Sequence, residues 1–146
     1  MKLLGKFLIG LVLIFVLLIF AGAVFQIQQE NEVKNAKTEP YTVVNFWSAH
    51  QPTAKRFSEN ILTKTTDHDQ ILLIAKKEIL RLKDEYDADI VWINIGPEVW
   101  EDNPKILKKE AAKIIWFKFD AEPKPSVNGY NYVGAFAGGD LYVLWS

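Results

Sequence analysis

The sequence predicts an α+β protein: an N-terminal transmembrane helix, then one small domain built on a mixed β-sheet with helices mainly on one face. Three observations carry this. Phe7 to Phe25 is a run of 19 residues without a charge, a hydroxyl or an amide. A β-α-β pattern follows between Tyr41 and Ile95. From Ile114 to Trp145 the chain reads as strands separated by proline- and glycine-rich turns, an antiparallel meander.

The 146 residues hold one domain besides the apolar run, not two. The net charge of −1 gives no basic field, so no nucleic-acid partner is expected. The absence of Cys excludes disulfides, thiolate metal sites, iron–sulfur clusters, thiol nucleophiles and cysteine lipidation. Fifteen Lys against two Arg, Arg56 and Arg81, is a composition that suggests a bacterial or phage-encoded chain.

As a helix, residues 7–25 are roughly 28 Å long, close to the hydrocarbon thickness of a bilayer. Lipid leaves the backbone no other partners, so the β-branched Ile and Val do not prevent a helix. Lys2, Lys6 and the α-amino group precede the run, and Glu30 and Glu32 are the first charges after it. Residues 1–6 are therefore expected in the cytoplasm and everything past Phe25 outside it, in a single-pass protein of the inner membrane. Ala21-Gly22-Ala23 has the small-x-small form of a signal-peptide cleavage site. The apolar run enters it without a polar spacer and continues through Val24 and Phe25, which favours an uncleaved anchor.

Residues 26–40, polar and aperiodic, read as a stalk ending at Pro40, and residues 41–146 as the extracytoplasmic domain. Tyr41 to Trp47 reads as a buried strand. Ala54, Phe57, Ile61 and Leu62 suggest a short helix over Thr53 to Thr63. Asp67 is the expected N-cap of a longer helix ending at Tyr86, with Leu72, Ala75, Ile79, Leu82 and Tyr86 as its apolar stripe. Glu78 and Arg81 can pair across one turn. Ile90 to Ile95 is the next strand, parallel to the first across a right-handed crossover. Asn103-Pro104 predicts a short helix through KILKKEAAK. Strands are then expected at Ile114 to Asp120, Tyr130 to Phe136 and Leu141 to Trp145, the last two joined by the turn Ala137 to Asp140.

Candidates for chemistry are few. His50 follows the first strand, where ligands of parallel sheets gather, and His68 lies between Asp67 and Asp69. Helix capping explains the two aspartates without a metal. Glu98, Glu101 and Asp102 surround Trp100 and read as a solvated loop with the Trp tucked onto the domain. Gly134, Gly138 and Gly139 open no helix and form no phosphate loop. No cofactor is expected.

Aromatics stand out. Trp116, Tyr130, Tyr132, Phe136, Tyr142 and Trp145 fall on both faces of the C-terminal strands. Either the helices of this chain or a partner must cover the second face. One functional reading is a non-catalytic module of the cell envelope that docks on another envelope protein, or on itself, through this sheet. The alternative is a small metal-dependent or hydrolytic enzyme using His50 with Asp67, His68 and Asp69. A separation of the two histidines beyond about 12 Å removes the second as a single metal site.

Overall fold

The computed structural model describes residues 2–146; Met1, part of the basic N-terminal segment, lies outside them. Helix α1 spans Lys2–Asn35. It is long and apolar enough to cross a membrane. Its large side chains are exposed, from Phe7 at 72% to Phe25 at 68%. A helix apolar on all sides has no stable place in water. α1 does not stop where the apolar run ends. It continues for ten further residues, Gln26 to Asn35, and Val33 is buried in the domain core.

The domain is a two-layer sandwich. Its sheet comprises β1 (Tyr41–Ser48), β2 (Arg56–Thr63), β3 (Ile90–Gly96), β6 (Ala112–Lys118), β7 (Asn131–Phe136) and β8 (Gly139–Trp145). The strand order is β1-β2-β3-β6-β8-β7. Only β2 and β3 are parallel, joined through helix α2 (His68–Tyr86); every other neighbouring pair is antiparallel. A separate ribbon pairs β4 (Glu98–Val99) with β5 (Leu107–Lys109).

Two expected helices are strands. Thr53 to Thr63 contains β2, with Phe57, Glu59, Ile61 and Thr63 buried by alternation. Phe57 and Ile61, four apart, share a face in a strand as well as in a helix. The parallel partner of β3 is accordingly β2, and β1 is an antiparallel edge strand. Asn103-Pro104 starts no helix. Asn103 does turn the chain, with its carbonyl accepting from Ile106 N–H at 3.1 Å. The segment then runs into β5 and β6, because Leu107 and Ala112 are buried and the Ala111 N–H donates to the Ile95 carbonyl at 2.7 Å. A Cβ at Gly96 would collide with the Lys109 carbonyl, so this close approach requires glycine.

α2 begins where its cap predicts. Asp67 Oδ1 accepts from the N–H groups of Asp69 (2.8 Å) and Gln70 (3.2 Å). Ile71, Ile74, Ala75, Ile79 and Leu82 are buried against the inner sheet face of Val91, Ile93, Ile114 and Trp116. Tyr86 lies at the rim, its ring tilted against those of Phe46 and Phe57. The β7–β8 turn is tighter than expected. Ala137 (φ 52°) and Gly138 (φ 78°) alone form it, both left-handed as two-residue hairpins require.

Both helices cover the same sheet face. α1 packs beside α2 and reaches β7. The strand directions define two ends. One holds the β7–β8 turn, the end of α2 and the start of β3. The other holds the start of α2, the β4–β5 ribbon and the end of β8.

Candidate interaction face

The opposite, outer face of the sheet has only loops over it. Ala121, Val127 and Tyr130, from the segment between β6 and β7, pack with Ile90, Ile115 and Phe117 over one part. At the other end the Lys105 carbonyl accepts from Asn60 Nδ2 (2.9 Å), and Asn94 Nδ2 donates to Asn60 Oδ1 (3.0 Å).

Across this face the strand registers line up one residue from each strand, and the middle of the row, Ile115, is buried under the first of these covers. Trp47 pairs with Ser58, Ser58 with Trp92, Trp92 with Ile115, Ile115 with Tyr142, and Tyr142 with Tyr132. At roughly 4.8 Å per strand the row is about 24 Å long. Its ends are open: Trp47 is 39% and Tyr132 57% exposed. Trp92 carries the Arg56 guanidinium 5.7 Å from its ring centre, and the Tyr132 and Tyr142 rings lie 5.1 Å apart. The Tyr132 hydroxyl donates to Asp140 Oδ1 at 3.0 Å, which raises its pKa because the carboxylate disfavours a phenolate.

The residues singled out from the sequence divide between the faces. Tyr130, Tyr132 and Tyr142 are on the outer face. Trp116 and Phe136 are buried in the helix-side core, and Trp116 Nε1 donates to the Phe136 carbonyl at 2.7 Å. Neither can touch a partner. Trp145 is half-buried on the helix side, its ring stacked 3.7 Å from His68. Trp47, Trp92 and Arg56 are outer-face residues that the sequence reading did not select. In Ile90 to Ile95 the polar Asn94 marks the outward parity, and Trp92 shares it.

His50 and His68 are not brought together. His50 is at the β7–β8 turn end, where its Nδ1 accepts from the Arg56 N–H at 3.2 Å. His68 opens α2 at the other end, and the whole length of β2, roughly 23 Å at 3.3 Å per residue, separates the two levels. The alternative that unites His50 with Asp67, His68 and Asp69 in one site therefore lacks its geometry. Among the described residues no group of three potential ligands is placed to hold a metal ion.

A groove of about 810 Å³ lies at the ribbon end, lined in part by Leu62, Lys64, Pro97, Trp100, Asp102 and Lys108. Trp100 is not tucked in: it stays 47% exposed, with the Lys108 ammonium 5.5 Å from its ring centre.

The strongest electrostatic feature is enclosed. Glu59, fully buried under α2, pairs with Arg81, whose Nε also donates to Glu78 Oε2 at 2.6 Å. Tyr41 donates to Glu78 Oε1 at 2.8 Å. Glu59 Oε2 has no partner. Burial, then the Glu78 charge, raise the Glu59 pKa to about 8, against the pull of Arg81. Burial and Glu78 push the Tyr41 hydroxyl pKa up as well. Such a cluster resembles an acid–base site in composition, but Glu59 has no surface open to a substrate.

Compared with protein-family models, curated proteins and solved structures, the chain matches none.

Proposed function

We propose that this chain is a single-pass membrane-anchored protein whose domain lies outside the cytoplasm, in the bacterial cell envelope. In this reading it is a non-catalytic binding module, and its outer sheet face docks on another envelope protein or on a second copy. The row from Trp47 to Tyr132 is the observation that carries the reading. Aromatic rings supply large contact area at low entropic cost, and tyrosine and tryptophan suit surfaces that are partly wet. The row ends at β7, an edge strand with Asn131, Tyr132 and Val133 exposed, so backbone groups there are free to extend the sheet. The basic start before the apolar run and the acidic residues after it support the orientation.

A photo-crosslinking residue at Tyr132 of the full-length protein in membranes tests the proposal, with one at exposed Glu85 on α2 as control. A defined adduct from position 132 and none from position 85 is the expected result. Identical patterns at the two positions would contradict it.

A further inference from the structure

The β7–β8 turn is built at the same height as the boundary of the apolar helix. Gln26 is the first polar residue after Phe25. α1 passes through this point without a break. A Cβ at Gly138 would lie 3.6 Å from Gln26 Nε2, so the turn sits beside that residue. The Gly138 carbonyl accepts from the Phe119 N–H at 3.2 Å, and Phe119 is 51% exposed. Farther along α1, Glu30 and Val33 hold the same face of the domain.

From these contacts we propose that the corner of the domain at the β7–β8 turn rests in the headgroup layer of the bilayer crossed by α1, with the exposed Phe119 ring as its lipid contact beside the half-buried Gly138; Ala137 is buried and faces the core. The inference rests on the anchor reading above. With residues 7–25 in the hydrocarbon, Gln26 stands at its edge, and the headgroup region occupies roughly the next 5–8 Å on that side. That thickness spans about four residues of helix, so anything beside Gln26 is immersed in it. An exposed phenyl ring at that height is more stable against lipid than in water. Four of the nearby charges neutralise one another: Lys118 bridges Asp87 (3.3 Å) and Asp89 (2.9 Å), and Lys55 lies 3.5 Å from Asp87, whereas the exposed Asp120 next to Phe119 is in no ion pair among the described residues. The groove and Trp100 are at the opposite end and stay in water.

The chain has no Cys, so single cysteines can be spin-labelled without background. Full-length Phe119→Cys, Asp120→Cys and Asp102→Cys proteins are reconstituted into phosphatidylethanolamine–phosphatidylglycerol vesicles, and collision of each label with oxygen and with an aqueous nickel chelate is compared. Asp120→Cys retains the phenyl ring, and circular dichroism checks the fold of each variant. The expected result is an oxygen-to-nickel ratio several-fold higher at positions 119 and 120 than at 102. Equal ratios in protein that floats with the vesicles and resists alkaline extraction would overturn the headgroup contact while leaving the anchor intact. Protein that does not float with the vesicles would overturn the anchor and this proposal with it.

Discussion

Lys83 of α2 lies 3.5 Å from the Glu30 carboxylate of α1, and its ammonium donates to the Ala137 carbonyl of the β7–β8 turn at 2.6 Å. Both charged side chains are about one-fifth exposed, and the Trp116 ring centre is 5.8 Å from the ammonium. One side chain thus fastens the extension of the apolar helix to both layers of the domain. Lys83→Met, which keeps most of the volume and removes the donor, is expected to cost about 1–3 kcal/mol. Hydrogen exchange of the full chain in detergent checks it. Residues 26–35 should lose protection before the sheet does; unchanged exchange there would show that buried Val33 and the Lys34–Asp84 ion pair (3.0 Å) hold the helix without Lys83.

Glu59 gives the domain a pH dependence whose sign follows from its environment. The folded pKa, raised to about 8 by burial first and Glu78 second, lies above the ordinary value of 4.5. Between those values the folded state holds a proton that the unfolded chain has released. Its contribution is fully present below about pH 4.5, declines as pH rises, and is lost beyond about pH 8. The slope approaches about 1.4 kcal/mol per pH unit at most. Glu59→Gln is neutral throughout and should flatten this part of the curve. Urea unfolding of both proteins at pH 5 and pH 8 is the check; parallel curves would mean that Glu59 stays ionised with Arg81.

The two faces of the sheet should respond differently to truncation. Trp116→Ala empties a fully buried site and removes its hydrogen bond to the Phe136 carbonyl, at an expected cost of about 3–5 kcal/mol. Trp47→Ala and Tyr132→Ala remove exposed rings and should each cost about 1 kcal/mol or less. Thermal unfolding separates the groups. In the crosslinking experiment Trp47→Ala should weaken the Tyr132 adduct while leaving the melt nearly unchanged.

How much of this was legible in the sequence depends on whether the signal was local. The apolar run, the Asp67 cap, the Glu78–Arg81 pair and the strands β3, β6, β7 and β8 rest on neighbouring residues. β2 was not readable that way. Its inward alternation Phe57-Glu59-Ile61-Thr63 is interrupted by a charged residue whose burial depends on Arg81, 22 positions later. The Asn103 turn looks like a helix start until Leu107 and Ala112 are drawn into the sheet by tertiary contacts. The extension of α1 contributes a single apolar residue, Val33, to the core, too sparse for a periodic pattern. The outer-face row could not be foreseen from any one strand, because it exists only in the register between six.

Asp67 is open to a direct test. Its carboxylate satisfies two N–H groups at the start of α2, so Asp67→Ala should destabilise the domain by about 1 kcal/mol. His68→Ala, which removes only the exposed stack on Trp145, should cost less. Chemical unfolding of the two variants decides the order; a larger loss for His68→Ala would give the stacked pair a structural weight that its exposure argues against.

The placement of the domain outside the cytoplasm is tested most directly by labelling a single cysteine at Asp102→Cys, an exposed position far from the β7–β8 turn. With a membrane-impermeant maleimide on intact spheroplasts, labelling should be complete without lysis. Labelling that appears only after the cells are broken would place the domain in the cytoplasm and contradict the account.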